Sequence, residues 1–525
     1  MIMIGLWCVL LTCVIIFAVI LLRTKERKET ELDKPEVKKK VLTGPKCWPI
    51  FGGLHHLQGP AGPYDAFTRL ADKYGDIYKI KLGAVNCVVV SSYNYVKEVL
   101  ITKGHEFGGR PDFLRFHELF GGDRNNSLAL CDWSDLQRTR RSIARVFCSP
   151  RGGSLQQEIL SKIAIEESRE LLSMLESEES KEITDGKKSL KPLLLATLAN
   201  MFTRYMCSTR FTYHDEDFRR IVRSFDEIFW DINHGYAVDF LPWLTPFYSS
   251  TMEKLRNWSI EIRSFILSRI IEDHLKNLDS ESNEPRDFTD ALLLQLQSSS
   301  ESNVSWEHIM FELEDFLGGH SAIGNLVMLI LAHLAIRPEV QKKVQEECDL
   351  FLHQSDKSTD FITLNNRAEM PYTDAVIWET LRISSSPIVP HVATVDTDID
   401  GYPIKKNTVI FINNFNLNLG ASYWGEDAHE FKPERFISVV DGSAKIIKPQ
   451  HFVPFSTGKR TCIGQRLVQG FAFVVITGLL SKFNVRPVNN NFDGLKKQLN
   501  PGCIAVPPDS FNFELKPREI LNLNK

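Results

Sequence analysis

The chain has 525 residues, 43% of them hydrophobic and 24% charged, with a formal net charge of −4. That length and apolar content can bury a large core, and so even a charge balance argues against nucleic acid as a partner. Ten cysteines are scattered without paired spacing, which argues against a disulfide framework and fits reduced thiols in a cytosol-facing domain.

Met1–Leu22 carries no charged side chain, and about 20 apolar residues cross a bilayer as one helix. Arg23, Lys25, Arg27 and Lys28 follow at once, with no Lys or Arg before them. The positive-inside rule then puts the C-terminal side in the cytosol. A cleaved signal peptide would carry a basic n-region and small residues at its cleavage site, and a mitochondrial transit peptide would be amphipathic and Arg-rich. The expectation is an uncleaved transmembrane signal-anchor over 1–22, in the endoplasmic reticulum membrane with a lumenal N-terminus. A charged linker and Pro-rich hinge follow over 23–52, where Pro45 and Pro49 end any helix running in from the membrane. One large domain occupies 53–525.

Alternation over Tyr78–Leu82 and the β-branched run Val85–Val90 predict two strands joined near Gly83. Helical periodicity dominates beyond 130, as in 155–175, 193–207, 216–234 and 251–275. Polar stretches at 176–189, 277–287, 298–304 and 354–360 read as loops. A long helix is predicted from Ser305, its N-cap, to Arg337, ahead of Pro338. At its centre stands Phe316-Leu317-Gly318-Gly319-His320-Ser321-Ala322-Ile323. Adjacent glycines there cost roughly 1 kcal/mol each against Ala, which makes sense if a flat cofactor or substrate presses on that face. Glu379 and Arg382, three apart on a helix, share a face and can pair. Tyr402–Asn413 predicts a second strand pair around Lys405–Asn407.

The most informative segment is Phe455-Ser456-Thr457-Gly458-Lys459-Arg460-Thr461-Cys462-Ile463-Gly464, followed by an apolar run from Leu467 to Leu480. It reads as a turn opening a buried helix. Gly458 and Gly464, lacking Cβ, let backbone approach a flat object. A thiol at a helix N-terminus beside Arg460 should ionise easily. A thiolate on such a loop suits axial ligation of haem iron, whereas no second Cys or His lies at zinc-ligand spacing.

The pattern F-x-x-G-x-R-x-C-x-G resembles the haem-binding loop of the cytochrome P-450 superfamily. Glu379-x-x-Arg382 and Pro433-Glu434-Arg435-Phe436 resemble the family's E-x-x-R and P-E-R-F segments, in the family's order. The resemblance implies the P-450 fold, mainly α with small β-sheets (α+β), making 53–525 a haem-thiolate catalytic domain. It implies haem b (iron protoporphyrin IX), with Cys462 as axial ligand and Phe455, Gly458, Arg460 and Gly464 shaping its loop. Arg435 would join Glu379 and Arg382 in a buried charge network beside that loop. His391, in Pro390-His391-Val392, and Arg460 would contact haem propionates. Cys131–Arg138 resembles the W-x-x-x-R helix that also reaches a propionate. Trp133 fits, but Gln137 stands in the Arg place and Arg138 comes one step later, about 100° around the helix. Arg138 then meets a propionate, the reductase or solvent.

On the long helix the family reads A/G-G-x-D/E-T, an acid and a threonine that deliver protons. Here Gly319 precedes Ser321 in the acid place and Ala322 in the threonine place. Ser321, water or a substrate hydroxyl supplies the relay, or the reaction needs none, as in a haem-thiolate isomerase or dehydratase. The Gly-Gly-His-Ser-Ala segment is similar to the spook group of microsomal insect enzymes. That similarity implies sterol oxidation early in ecdysteroid synthesis, near 7-dehydrocholesterol. Electrons would come from NADPH through NADPH–cytochrome P-450 reductase, with cytochrome b5 as a second donor. Phe107, Phe113, Phe116 and Phe120, and Phe225, Phe229, Trp230 and Phe240, would either line a sterol pocket or belong to the core. A haem sensor or sterol-binding protein without turnover is the remaining alternative.

Overall fold

The computed structural model describes residues 40–58, 62–278, 284–297, 304–354, 361–499, 502–507 and 510–519. The anchor expected over 1–22 and the linker as far as residue 39 lie outside them. Residues 401–403 group with 1–41 in a small unit, and Leu42–Asp400 with Ile404–Lys525 form the large unit that carries the site.

Strand β1, Ile77–Leu82, buries Ile77, Tyr78, Ile80 and Leu82 and exposes Lys79 and Lys81, the alternation of a half-buried strand. It pairs antiparallel with β2, Val85–Val90. The turn needs glycine: Gly83 has φ +55°, and a Cβ there would lie 2.0 Å from the Phe240 carbonyl oxygen. Strand β3, His391–Val392, and β4, Val409–Ile412, complete a sheet of order β1-β2-β4-β3. Both strands predicted over 402–413 form, as Tyr402–Ile404 and Val409–Ile412, but they do not pair with each other: β4 runs parallel to β2 and antiparallel to β3.

Beside three two-stranded sheets among the described residues, helices make up most of the rest. Those that position the site are α1 (Leu114–Leu119), α2 (Asp135–Cys148), α3 (Lys191–Cys207), α4 (Glu216–Asn233), α5 (Trp306–Leu317), α6 (Gly319–Ala335), α7 (Pro371–Ser384) and α8 (Gln465–Lys482). The predicted long helix exists as α5 and α6, joined by a turn at Gly318. Ser305 caps it by accepting from the His308 amide at 3.3 Å. The pair is apolar and 30 residues long, but 83% of its most apolar stretch is buried in the protein, so it is the core helix and not a membrane span. α3, α7 and α8 pack around α6.

Neighbouring side chains lie close to the glycines of this helix pair. A Cβ on Gly318 would lie 3.1 Å from the Phe225 ring, one on Gly319 3.1 Å from Phe202, and one on Gly324 2.4 Å from Leu195. These glycines seat α3 and α4 close against the core helix. A buried polar set ties the same elements together. Lys191 Nζ lies 2.7 Å from Asp226 Oδ2 and donates to the Val506 carbonyl at 2.7 Å. Asn325 Nδ2 donates to Asp226 Oδ1 at 2.9 Å, and the Val506 amide donates to Asn325 Oδ1 at 2.7 Å.

Candidate functional site

The loop before α8 is closed by its own backbone. The Cys462 amide donates to the Phe455 carbonyl at 2.8 Å, while Ser456 and Gly458 take φ of +59° and +71°. Gly458 is required because a Cβ would lie 2.0 Å from the Leu100 carbonyl oxygen, whereas a Cβ on Gly464 would meet nothing within 4 Å. Only Gly464 therefore borders open space; the close approach at Gly458 is to the chain itself.

The thiol differs from expectation in its cation. Burial raises the Cys462 pKa above its ordinary value, and the amides of Gly464 and Gln465 and the charge of Arg141 oppose this. The amides belong to the start of α8, where the helix dipole favours an anion. Arg460 points elsewhere, and without a metal the burial cost prevails. Cys462 is nonetheless an exposed residue. A side chain both accessible and costly to ionise opens on an enclosed hollow rather than on bulk water.

Arginines gather around that hollow. Arg460, only 6% exposed, donates from Nη2 to the carbonyls of Ala129 and Cys131, both at 2.9 Å, and its Nη1 has no partner. Arg110 donates to the carbonyls of Ala129, Val389 and Pro390, and Arg141 to that of Thr461 at 2.6 Å. Burial lowers the pKa of all three, Arg460 to about 10, and the charges of Arg460 and Arg141 add to the effect at Arg110. His391 turns Nδ1 to the Phe107 carbonyl at 2.8 Å and leaves Nε2 without a partner. Burial, then the charges of Arg110 and Arg460, hold its pKa well below the usual imidazole range. Among the described residues no carboxylate pairs with the guanidinium of Arg110, Arg141 or Arg460. Buried cations left so need an anion, and the donors suit a group that brings carboxylates of its own.

Arg138 does not reach this cluster. Its side chain is 70% exposed and pairs with Asp135 at 2.9 Å. The one-step offset turns it to solvent and turns Gln137 inward, where Gln137 donates to the Leu128 carbonyl at 3.0 Å. Two guanidiniums of this helix point inward: Arg140, which pairs with Glu312 at 2.7 Å, and Arg141, one turn beyond Gln137 on the same face, which reaches the cysteine loop. Sequence reading missed Arg141, although that spacing was available; Arg110 stands in no pattern that would have found it. Trp133 is held through its amide, which donates to the Gly108 carbonyl at 3.1 Å, and Lys459 Nζ lies 5.6 Å from its ring centre.

Glu379 and Arg382 on α7 are both fully buried and form a two-bond pair, 2.7 Å in each bond. Arg382 also donates to the carbonyls of Asn418, Ala428 and Glu430, and Glu379 accepts the Lys432 amide at 2.7 Å. Arg435 completes the set, 3.7 Å from Glu379 and 2.8 Å from Asp427. Trp378, next in the chain, sets its ring edge-on to Phe455, linking this network to the cysteine loop.

From Ile309 to Ala335 only Asp315, Gly318, Gly319 and Ala322 keep accessible surface. Their spacing puts them on one helix face, the part of this stretch left partly open. Ser321 is on a different face, fully buried, its Oγ without a partner. The aromatics weighed as pocket lining pack largely on one another: Phe113 on Phe116 and Phe240, Phe120 on Phe311, Phe225 on His320.

The comparisons agree with this geometry. The family model described as Cytochrome P450 matches residues 42–515. The chain is 44% identical over 522 residues to Cytochrome P450 307a1 of Drosophila melanogaster, covering 94% of this chain and 92% of that protein. It is 28% identical over 501 residues to Cytochrome P450 1B1 of Mus musculus, covering 91% and 88%. It is 28% identical over 448 residues to Steroid 17-alpha-hydroxylase/17,20 lyase of Ictalurus punctatus, covering 83% and 84%. With its cysteine loop, its buried Glu–Arg pair and this extent of match, the chain belongs to the cytochrome P450 family of haem monooxygenases.

Proposed function

We propose that this monooxygenase oxidises a sterol in an early step of ecdysteroid synthesis, near 7-dehydrocholesterol, using haem b with Cys462 as its sulfur ligand. The observation that carries the cofactor reading is the accessible Cys462 thiol with the Arg141 charge beside it, together with the buried guanidiniums of Arg110 and Arg460, none of the three paired with a carboxylate among the described residues. Arg110, Arg141, Arg460 and His391 would hold the two propionates, and the open side of Gly464 would admit the ring edge. When bound, haem supplies the redox chemistry of dioxygen activation, and the thiolate's electron density favours O–O cleavage.

The protein's part is to orient and to manage protons. Ala322 brings no hydroxyl to the open face, so water carries the proton there. Ser321, buried on a different face of the helix, does not reach that place. The sterol reading is supported by the long match to the Drosophila protein and by the Gly-Gly-His-Ser-Ala segment.

An apolar surface supports attachment of the catalytic unit to the cytosolic side of the endoplasmic reticulum membrane, with the N-terminus lumenal. Trp48, Ile50, Phe51, Trp243 and Phe247 are exposed by 46 to 81%. Phe51 and Trp243 meet edge-on at 6.3 Å, so two distant segments share the patch. Electrons would arrive from NADPH–cytochrome P-450 reductase, with cytochrome b5 as a second donor.

The test is reconstitution of the full chain with reductase, a carbon monoxide difference spectrum, and a sterol panel read by mass. An oxygenated product formed with matched NADPH and dioxygen uptake is expected. Product formed without either uptake would overturn it.

A further inference from the structure

Asp315 is the one side chain with polar atoms on the open face of the core helix. The other members are Gly318, Gly319 and Ala322. Every other residue from Ile309 to Ala335 is buried, so whatever occupies the opening beside this helix meets a carboxylate, two glycines and a methyl group. We propose that Asp315 accepts a hydrogen bond from a hydroxyl group at one end of an elongated apolar substrate, and so sets which end of the substrate faces the oxidation site.

The acceptor count allows it. Ser127 Oγ lies 3.1 and 3.0 Å from the two carboxylate oxygens, and its single proton can serve only one of them. The Leu128 amide donates at 2.6 Å, and the Ala129 amide also contributes. A carboxylate offers about four acceptor sites. Three donors leave one, on a residue that still keeps accessible surface. The same three donors fix the carboxylate's orientation, as a recognition group needs. Burial raises the Asp315 pKa to about 6, so at neutral pH it is an anion in a water-poor space. There a hydroxyl donor is favoured, and a sulfate or carboxylate on the substrate is repelled.

The position sets a length. Ala322 lies seven residues further along the same rod, about 10 Å at 1.5 Å per residue. The hydroxyl and the oxidised carbon are then separated by about that distance along the substrate. A fused four-ring skeleton with its hydroxyl on the terminal ring meets this; a small aromatic substrate does not.

This inference rests on the sterol reading above, and the experiment separates the two. The holoenzyme is titrated spectrally with a 3β-hydroxysterol, its 3-deoxy analogue and its 3-sulfate. The hydroxysterol should bind about ten- to a hundredfold more tightly than either, the range of one hydrogen bond to a charged acceptor. In Asp315→Ala the preference over the deoxy analogue should vanish while the affinity for that analogue stays, which a merely structural role for Asp315 would not produce. Asp315→Asn, which can still accept the Leu128 amide, serves if the alanine variant loses its haem, and its preference should fall several-fold. Equal affinity of the wild type for hydroxysterol and deoxy analogue, or an unchanged preference in Asp315→Asn, would overturn the contact alone. No response to any sterol would overturn both readings.

Discussion

Asp315 and Arg460 grip one short segment from opposite sides. The Leu128 amide donates to Asp315 at 2.6 Å, and the next residue's carbonyl, that of Ala129, accepts from Arg460 at 2.9 Å and from Arg110 at 3.2 Å. Residues 127–131 thus form a strut between the core helix and the cationic side of the hollow.

Replacing Cys462 removes the sulfur ligand and little else, since the loop is closed by the Phe455 carbonyl and the Cys462 amide. Cys462→Ala is expected to fold and to lose the carbon monoxide Soret band of a haem-thiolate protein. A retained band would refute the assignment.

Two of the arginines of α2, Arg138 and Arg141, should behave oppositely. Arg141→Gln removes a buried guanidinium beside the thiol and should weaken haem retention roughly tenfold or more. Arg138→Gln touches only an exposed pair and should shift stability by no more than about 0.5 kcal/mol. Haem content after gel filtration and thermal melts distinguish them.

Breaking the buried pair on α7 should be severe. Arg382→Ala leaves Glu379 as a buried, partly unpaired charge and frees three carbonyls, at a cost of about 3–5 kcal/mol. Low soluble yield and a strongly lowered melting temperature are expected, and a melt within a few degrees of wild type would contradict the network's role.

The pH dependence of Asp315 has a definite sign. Its folded pKa of about 6 lies above the ordinary carboxyl value of 3.8, so between these values the native state binds more protons than the unfolded chain. This group's contribution therefore falls as pH rises through that window. Relative to Asp315→Asn, wild type should lose unfolding free energy from pH 4 to pH 6, measured by urea denaturation at each pH, and a flat difference would show the carboxyl to be unshifted.

Much of this was legible in the chain because the motifs are local. Phe455 to Gly464 closes on itself within ten residues, and Glu379 meets Arg382 one helical turn away, so spacing alone carries the geometry. What was not legible depends on distant partners. Nothing near Arg110 or Asp315 announces that both hold residues 127–131. The glycines of the core helix invited a ligand explanation, and nothing near them announces that Phe202, Phe225 and Leu195, from more than 90 positions away in sequence, also pack against them. Arg460 was credited with steadying the thiol because it is two residues off, yet the backbone turns it toward Ala129 and Cys131 and leaves that place to Arg141.

The polar knot of Lys191, Asp226, Asn325 and Val506 has a consequence for how the protein assembles. Its bonds join residues as much as 315 positions apart, so they close only when α3, α4, α6 and the Val506 segment are docked together. Contacts of such long sequence separation form late and cooperatively, and the knot fastens a bundle already brought together by its apolar faces.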